Sequence, residues 1–491
     1  MLPYQTLIIV EQKNGIPIYR QIANRLISLI QSGKILPASF LPGTREMAGI
    51  INVHRNTVIA AYNELVLQGW AEAIPKKGYR IIPDLPIIKP RSFHPEPNFI
   101  IAPEDDVSDY YDGTVAHSYQ GAGIGESKII VNDGFPDIDL APYEEIMKEY
   151  RRFVQGGSLK RLMSIRYDGG TPSLRSSICT FLNQSRGLNV GPDSVLITRG
   201  AQMAIYLAIS TLINPGDHMV VSNPSYFIAD EIFRKKGAVL NRVGVDQDGI
   251  DVDQLEDILK DKPIKLLYII PHHHHPTTVT MSAPRRIKLL NLIEKYRLWV
   301  IEDDYDYDFH YQNSPILPLA SADHGGRIIY IGSFTKILAP SFRIGYMIGG
   351  KNIIRQASAY RRLIDLRGDT IMEGALSAMI DNGELNRHIK RCKKIYARRC
   401  DRAAELLKTE LENIVDFQKP QGGMAIWLKF GLDYPLGKVM SRAAQQGLLL
   451  AGSAYFQGEH MTTNSVRFGF ASLTDDELAE AVRILKRATR G

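Results

Sequence analysis

Short apolar runs alternate with amphipathic helical stretches along residues 127–491, and this alternation constrains the fold more than any other feature of the chain. The runs read SVLIT, HMVVSN, KLLYII, LWVIEDD and RIIYIGS. Each run is long enough for one buried strand, and the stretches between the runs have the periodicity of helices. Because strands that are separated by helices usually pair in parallel, we predict an α/β domain with a mostly parallel sheet.

The residues before this domain differ from it in composition. Residues 1–83 are rich in helical patterns, whereas residues 84–126 contain many prolines and glycines and no sustained period, which is typical of a linker. A chain of 491 residues is also too long for one ordinary domain. We therefore predict a small domain over 1–83, a linker over 84–126 and a large domain over 127–491.

Positive charge is concentrated in the small domain. The chain has 59 Lys and Arg residues against 53 Asp and Glu residues, which gives a formal net charge of +6. Residues 1–83 contain nine of these cations against four glutamates, so most of the excess lies there. A small basic module on a nearly neutral body favours a polyanion such as nucleic acid as its partner.

The cysteine count and the hydropathy pattern bear on the cellular compartment. Three cysteines, Cys179, Cys392 and Cys400, are too few for a disulfide framework, which favours a reducing compartment. The N-terminal residues lack the features of a signal peptide, and no apolar run reaches the roughly 18 residues of a membrane helix. We predict a cytoplasmic protein with no membrane partner.

The helical periodicity within residues 1–83 predicts a winged helix. Residues 17–31 and 55–68 each place apolar side chains on one face, and a shorter helix begins near Thr44, a suitable N-cap residue. Two short strands then surround a basic turn within residues 70–82. This order is typical of a DNA-binding winged helix, although the same helices also serve contacts between proteins.

In a winged helix the start of the third helix faces the bases, and the tip of the hairpin faces the minor groove or its phosphates. Both segments are polar and cationic in this chain, and an arginine near the start of the preceding helix would contact the DNA backbone. The DNA-binding residues predicted in this way are Arg45, Arg55, Asn56, Thr57, Lys77 and Gly78.

Residues 17–81 resemble the GntR family of bacterial regulators over almost their whole length. The resemblance rests on PIYRQI, LPGTREMA, HRNTVIAAYNEL and KGYRI. His54 replaces the usual serine and Lys77 replaces one of two usual glycines, and both departures are mild. The resemblance implies that this domain binds double-stranded operator DNA. The contacts that it implies are at Arg45, Arg55, Thr57 and Gly78.

A lysine follows the last strand-like run of the large domain. In RIIYIGSFTKILAPSFRIGY, Lys336 comes three residues after Ser333 and seven residues before Arg343. A lysine amine near other cations has a lowered pKa and can bond to an aldehyde. The hydroxyls of Ser333 and Thr335 and the guanidinium of Arg343 suit a phosphate group. Taken alone, such a lysine is more often an exposed one, so its interpretation depends on the rest of the chain.

Polar and aromatic residues follow the other strands. Asp303 and Tyr305 end LWVIEDDY, where a carboxylate can keep a pyridine nitrogen protonated and a tyrosine can contact a ring oxygen. Ala201 and Gln202 begin a helix after SVLIT, where backbone N–H groups bind phosphate. Tyr226 follows HMVVSN and can stack on a planar ring. Taken alone, Ala201 and Gln202 could form an ordinary strand–helix turn, and Tyr226 fits a core tyrosine equally well. An acidic surface loop at Asp303 is the other alternative, but the four apolar residues before it favour a buried strand.

The order and spacing of these residues resemble the fold-type I pyridoxal phosphate enzymes of the aminotransferase class over about residues 127–491. The resemblance implies pyridoxal 5'-phosphate as cofactor, joined to Lys336, with Asp303 at the pyridine nitrogen and Tyr226 stacked on the ring. Arg467, in NSVRFGFAS, matches the arginine that binds a substrate carboxylate, although alone it could be an exposed residue at a strand end. The residues implied around the ring oxygen and the phosphate are Tyr305, His275, Ala201, Gln202, Ser333, Thr335 and Arg343.

The loop at residues 271–278 departs from that family. It reads PHHHHPTT, in which His275 takes the position of an asparagine that contacts the ring oxygen and Thr278 replaces a glycine. Four consecutive histidines suggest a metal ion, but neighbours in sequence cannot all face one ion, so we predict no metal site. Ile228 stands where some related regulators have an effector-binding arginine, so their effector need not be shared.

A GntR-type winged helix joined by a linker to an aminotransferase-like domain resembles the MocR subfamily of regulators. This resemblance implies a head-to-tail homodimer. Three functions stay open: a regulator that senses an amino compound, a regulator that senses pyridoxal phosphate itself, and a true aminotransferase with an accessory DNA-binding domain. We predict a regulator, because the winged helix is complete and basic.

Overall fold

The computed structural model describes residues 2–11, 16–83, 129–157, 167–311, 316–450 and 464–490. The chain divides into two compact units, Met1–Tyr110 and Tyr111–Gly491. The predicted linker at 84–126 lies outside the described residues, so its bounds and those of the two domains stay predictions.

The N-terminal unit contains four helices and one hairpin among its described residues. The helices are α1 (Tyr4–Leu7), α2 (Ile18–Gln31), α3 (Thr44–Ile50) and α4 (Arg55–Leu67). The strands β1 (Ala71–Ile74) and β2 (Gly78–Ile81) pair antiparallel. The three predicted helices correspond to α2, α3 and α4, with bounds within one residue, and the predicted hairpin corresponds to β1 and β2, whereas α1 was not predicted.

The core of this unit forms between α2 and α4. Leu26, Val58 and Leu65 are fully buried there, as the apolar periodicity of both helices requires. The predicted N-cap role of Thr44 is wrong: Gly43 is the N-cap residue and Thr44 is the first residue of α3. The hydroxyl of Thr44 instead accepts a hydrogen bond of 3.4 Å from Nε of Arg55, so it links the starts of α3 and α4.

The large unit is built on an eight-stranded sheet with the order β4-β11-β10-β9-β8-β5-β6-β7. Strands β10, β9, β8, β5 and β6 run parallel, whereas β11 runs antiparallel to both of its neighbours. The strands of this sheet are β4 (Val195–Thr198), β5 (His218–Asn223), β6 (Val239–Asp246), β7 (Gly249–Ile250), β8 (Ile264–Ile269), β9 (Trp299–Asp303), β10 (Ile328–Ser333) and β11 (Gly345–Ile348).

Helices cover both faces of this sheet, as a buried parallel sheet requires. One face packs on helices that include α7 and α11, and the other packs on α9 and α10. The first seven α-helices described in this unit are α5 (Tyr143–Gln155), α6 (Pro172–Arg186), α7 (Ala201–Leu212), α8 (Phe227–Lys235), α9 (Val252–Asp261), α10 (Ala283–Tyr296) and α11 (Lys351–Asp365).

The C-terminal part of the unit adds a smaller α/β layer. Its helices are α12 (Thr370–Asp381), α13 (Glu384–Glu410), α14 (Leu436–Gln445) and α15 (Asp475–Thr489). Its strands are β12 (Val415–Asp416), β13 (Ala425–Phe430), β14 (Leu448–Leu450) and β15 (Ser465–Gly469), and β14 pairs in parallel with β3 (Ile129–Val131) from the start of the unit.

The topology brings the predicted site residues to one edge of the large sheet. Parallel strands end at the same edge, and β11 begins there because it runs the other way. The segments that follow β4, β5, β8, β9 and β10 and the segment before β11 therefore meet. Among the helices that the structure describes, none is long and apolar enough to cross a membrane.

Candidate functional site

A cavity of about 290 Å³ opens at this edge of the sheet. Ten residues predicted from the sequence line it, and all ten come from the segments at the strand ends. They are Ala201, Gln202, Tyr226, His275, Asp303, Tyr305, Ser333, Thr335, Lys336 and Arg343. Asp133, Phe135, Phe227, Ile228 and Ile270 complete the lining.

Lys336 lies three residues beyond the end of β10 and is buried in the cavity wall. Its Nζ donates a 2.7 Å hydrogen bond to the carbonyl oxygen of Gly134 and lies 4.1 Å from the ring centroid of Phe135. Burial lowers the pKa of the Lys336 amine to about 8, because the charged form loses its hydration. A much larger fraction of this amine than of an ordinary lysine is therefore neutral and nucleophilic near neutral pH.

Asp303 is the last residue of β9 and is 2% exposed. Its Oδ2 accepts a 2.8 Å hydrogen bond from the hydroxyl of Tyr268, whereas its Oδ1 is buried with no hydrogen-bond partner among the described residues. Burial raises the pKa of this carboxyl to about 7. A buried oxygen without a partner, on a residue that lines the cavity, indicates a site for a hydrogen-bond donor on a ligand.

Aromatic rings stand around the middle of the cavity. Tyr226 lies just before α8, and its hydroxyl accepts a 3.2 Å hydrogen bond from the side-chain amide of Gln202. The rings of Tyr226 and His275 meet edge to face, with their centroids 5.0 Å apart. The hydroxyl of Tyr305 donates a 3.0 Å hydrogen bond to the carbonyl oxygen of His273. These contacts hold the rings in fixed orientations beside Lys336.

Another part of the cavity lining has the features of an anion site. Helix α7 begins there at Ala201, and its first N–H groups have no partner within the helix. The hydroxyl of Ser333 donates to that of Thr335 over 2.9 Å, and Arg343 donates a 3.0 Å hydrogen bond to the carbonyl oxygen of Arg199. Hydroxyls, a guanidinium and a helix N-terminus together suit a phosphate group.

Two glycines allow this end of the cavity to form. Gly200, before α7, has a φ of +81°, a conformation that other residues rarely adopt. A Cβ on Gly345 would lie 2.7 Å from the backbone of Gly200, so a side chain at position 345 would push the start of α7 away.

Arg467 lies on β15 and its side chain is only 1% exposed. Its Nε lies 3.1 Å from Oδ1 of Asp133, and its two terminal nitrogens donate to the carbonyl oxygen of Pro276 and the hydroxyl of Tyr305, each over 3.1 Å. Oδ2 of Asp133 lies 2.9 Å from Nε2 of His275. The sequence pattern missed Asp133, because nothing in the NDGFPD segment after β3 connects it with Arg467.

The consecutive histidines each contact a different acceptor or donor group. Nδ1 of His272 lies 3.3 Å from Asp304 and Nδ1 of His273 lies 2.9 Å from Asp306. Nε2 of His274 lies 2.9 Å from the hydroxyl of Ser222, on β5. His275 alone of the four lines the cavity. The first three histidines therefore belong to the buried network that supports the loop.

The predicted DNA-binding residues lie on the surface of the N-terminal unit. Arg45, Arg55 and Asn56 are exposed, and Thr57 is half-buried in the first turn of α4. The ring of His54 accepts a 3.2 Å hydrogen bond from the backbone N–H of Asn56, and so replaces the serine that usually caps this helix. Lys77 and Gly78 are exposed at the tip of the hairpin between β1 and β2.

Comparison with known proteins assigns each unit to a protein family. Residues 128–485 match the family described as "Aminotransferase class I and II". The chain belongs to the class I and II aminotransferase family. Residues 18–81 match "Bacterial regulatory proteins, gntR family". This aminotransferase-family chain therefore also contains a DNA-binding domain of the GntR family, and the combination is that of the MocR-type regulators.

Two transcriptional or catabolic regulators match nearly the whole length of the chain. The HTH-type transcriptional regulator YisV of Bacillus subtilis is 26% identical over 475 residues, which cover 95% of each chain. A Rhizobium meliloti protein described as "Probable rhizopine catabolism regulatory protein MocR" is 26% identical over 98% of this chain and 96% of its own.

Solved aminotransferases match about four-fifths of the chain. The multiple substrate aminotransferase of Thermococcus profundus is 27% identical with a TM-score of 0.71, over 79% of this chain and 97% of its own. The kynurenine aminotransferase of Pyrococcus horikoshii, solved with PMP, is 27% identical with a TM-score of 0.70, over 80% of this chain and 97% of its own.

Pyridoxal phosphate is the cofactor that this fold family implies, and the described residues fit it. The protonated nitrogen of a pyridine ring would supply the donor that Oδ1 of Asp303 lacks. Lys336 supplies a buried amine with a lowered pKa for the aldehyde. The helix N-terminus at Ala201 and the Arg343 side chain suit its phosphate.

Proposed function

We propose that this MocR-type protein is a sensor in which a primary amine, bound in the cavity that contains Lys336, changes the affinity of the winged helix for operator DNA. The observation that carries the proposal is one cavity lined by both the buried Lys336 amine and Asp303, whose Oδ1 has no partner among the described residues, in a chain whose recognition helix begins with the exposed Arg55. Pyridoxal phosphate supplies an aldehyde that combines reversibly with amines.

The roles of the cavity residues follow from their chemistry. Lys336 would supply the amine that bonds to the cofactor aldehyde. Asp303 would keep a proton on the pyridine nitrogen, because its ionised form would gain a cationic partner there. Tyr226 would stack on the cofactor ring, and Tyr305 and His275 would contact its ring oxygen. The residues that we assign to the phosphate are Ala201, Gln202, Ser333, Thr335 and Arg343.

A ligand changes DNA affinity only if it binds two arrangements of the protein unequally. We propose that the two arrangements differ in how the two units are placed, within a head-to-tail homodimer. Exposed apolar side chains on the large unit, at Tyr360, Leu363, Ile364 and Leu366, support self-association. Because genomic DNA is the partner, the proposed site of action is the cytoplasm.

Pyridoxal phosphate itself is an alternative effector that would bind in the same cavity. Adding pyridoxal phosphate or an amine to cofactor-free protein, and measuring operator affinity in each case, distinguishes the two effectors. Transamination is a second candidate function, because Lys336 and Asp303 are both present in the cavity. Steady-state release of a keto acid from an amino acid distinguishes an enzyme from a sensor.

Arg55→Ala should weaken binding to the protein's own upstream DNA, a natural candidate operator, by about 1–3 kcal/mol and should relax its sequence preference. Arg55 is exposed at the start of the recognition helix, where it can contact a base edge. Lys77→Ala is the matched control, because a wing lysine contributes charge alone. Lys77→Ala should weaken binding to specific and nonspecific DNA by the same factor. It should also lower the slope of log affinity against log salt concentration by about one.

Fluorescence anisotropy with specific and scrambled DNA over a range of salt concentrations measures both effects. Neither variant should alter the absorption spectrum of the bound cofactor. Unchanged specific binding by Arg55→Ala, or no salt-sensitive binding by folded wild-type protein, would contradict the DNA-binding assignment of these residues. The proposed sensing function requires that an added amine changes the affinity of the wild-type protein for the same DNA.

A further inference from the structure

The carboxylate of Asp133 lies between the cavity and the arginine that would bind a ligand carboxylate. Asp133 lines the cavity, whereas Arg467 does not line it within the part of the chain that the structure describes. Oδ1 of Asp133 is 3.1 Å from Nε of Arg467, and the two side chains are 12% and 1% exposed. Arg467 is thus already paired with a carboxylate that belongs to the protein.

The remaining contacts of Arg467 strengthen this conclusion. One terminal nitrogen donates to the carbonyl oxygen of Pro276 and the other to the hydroxyl of Tyr305. A ligand carboxylate would therefore have to displace Asp133 or break these contacts. It would also approach the buried negative charge of Asp133, and like charges at short distance in a buried site repel strongly.

The other cations that line the cavity are committed elsewhere. Lys336 is the covalent attachment point, and Arg343 lies at the phosphate end. Burial lowers the pKa of His275, so its ring is neutral near pH 7 despite the adjacent Asp133. Phe135, Phe227 and two isoleucines make much of the remaining wall apolar. The described lining can therefore accommodate an uncharged substituent of an amine. It contains no unpaired cation that could bind a carboxylate.

We propose that the effector is a primary amine that carries no carboxylate group. This inference rests on the proposed sensing function and specifies its ligand class. Asp133 selects against amino acids by neutralising Arg467 and by repelling a second carboxylate. The substituent of the amine occupies the apolar side of the cavity, beside Phe135 and Phe227.

Two matched pairs of compounds test the inference on the full-length protein loaded with cofactor. 2-Phenylethylamine and ethanolamine differ from L-phenylalanine and L-serine only in the missing carboxylate. The dissociation constant of each compound is measured from the change in cofactor absorption, and operator binding is measured in parallel samples. We expect each amine to bind at least about 10-fold more tightly than its amino acid.

Asp133→Asn tests the cause of the preference. It removes the charge with almost no change in shape, so it should free Arg467 and strengthen L-phenylalanine binding at least about 10-fold. The additional change Arg467→Met should abolish this gain. Melting temperature and cofactor content show whether each variant is folded, and the wild-type comparison stands even if a variant is not.

The inference would be overturned by wild-type protein that binds the amino acids at least as tightly as the amines, by no response to either class, or by an unchanged preference in folded Asp133→Asn protein. A preference for amino acids together with altered operator binding would overturn this inference alone. A preference for amines without any change in operator binding would support it and contradict the proposed sensing function.

Discussion

Lys336→Ala protein should lose the covalent attachment of pyridoxal phosphate completely. The amine of Lys336 is buried in the cavity and its pKa is lowered to about 8, so it is the nucleophile that the cavity offers to the aldehyde. Borohydride reduction followed by peptide mass spectrometry should place a pyridoxyl group on Lys336 in the wild type. The variant should carry no such group and should lose the absorption band of the linked cofactor.

Two control variants separate this loss from a general effect of charge. Lys336→Arg retains a cation but cannot form the same bond, so it should behave like the alanine variant. Lys265→Ala removes a lysine that pairs with Asp217 outside the cavity, so its adduct should be normal. A pyridoxyl group on a different lysine of the wild type would show that the attachment site has been assigned wrongly.

Asp303→Asn should weaken cofactor binding at least about 100-fold, since removing one partner of a buried ion pair typically costs about 3–5 kcal/mol. The carboxylate is 2% exposed and one of its oxygens has no partner among the described residues. An asparagine can accept a hydrogen bond but cannot balance the charge of a protonated pyridine. Equilibrium titration of cofactor-free protein with pyridoxal phosphate measures the change.

The same substitution should have the opposite effect on cofactor-free protein. Burial raises the pKa of Asp303 to about 7, whereas the pKa of the same carboxyl in the unfolded chain is about 3.9. The unfolded state therefore loses the proton first, and Asp303 lowers the free energy of unfolding as the pH rises from about 4 to about 7. Asp303→Asn should thus be more stable than wild type at pH 8, by about 4 kcal/mol, with little difference near pH 4.

Glu302→Gln is the matched control for cofactor binding. Glu302 is also fully buried with a raised pKa, but its carboxylate accepts hydrogen bonds from the backbone of Leu319 and Ala320, and it does not line the cavity. Its substitution should leave cofactor affinity unchanged. Equal loss of affinity in both variants, or a cofactor-free Asp303→Asn protein that is less stable than wild type at pH 8, would contradict the role of Asp303.

The sequence was sufficient to predict the residues that directly follow a strand. Asp303 and Lys336 stand at or just beyond the ends of β9 and β10, and neighbouring parallel strands end at the same edge of a sheet. Their meeting point therefore follows from the alternation of strands and helices. Arg343, which the sequence already indicated as a phosphate-binding residue, reaches this edge because β11 begins there.

Asp133 could not be predicted in this way. It lies some 330 residues from Arg467 in the chain, and it reaches that residue because Gly469 on β15 donates a backbone hydrogen bond to Asn132. No local period or spacing encodes a contact between such distant segments. The sequence therefore indicated Arg467 as a free carboxylate site, and the neighbouring Asp133 is visible only in three dimensions.

The histidine loop illustrates the same limit. Its four consecutive histidines suggest a metal site from the sequence alone. In the structure, however, His273 and His274 contact separate partners, Asp306 and Ser222. The partners come from segments after β9 and within β5, so only the sheet order determines which histidine meets which group. His275 alone of the four then faces the cavity, beside Asp133.

The most direct test of the central claim is reciprocity between the amine and the operator. Operator affinity is measured by anisotropy with and without a saturating amine, chosen as the tightest binder from a panel of amines and amino acids. The affinity for the same amine is measured by cofactor absorption with and without saturating operator. We expect both affinities to change by the same factor, in the range of about 5–150-fold, and the change to vanish in Lys336→Ala protein. An amine that alters the cofactor spectrum but leaves operator affinity unchanged would contradict the claim.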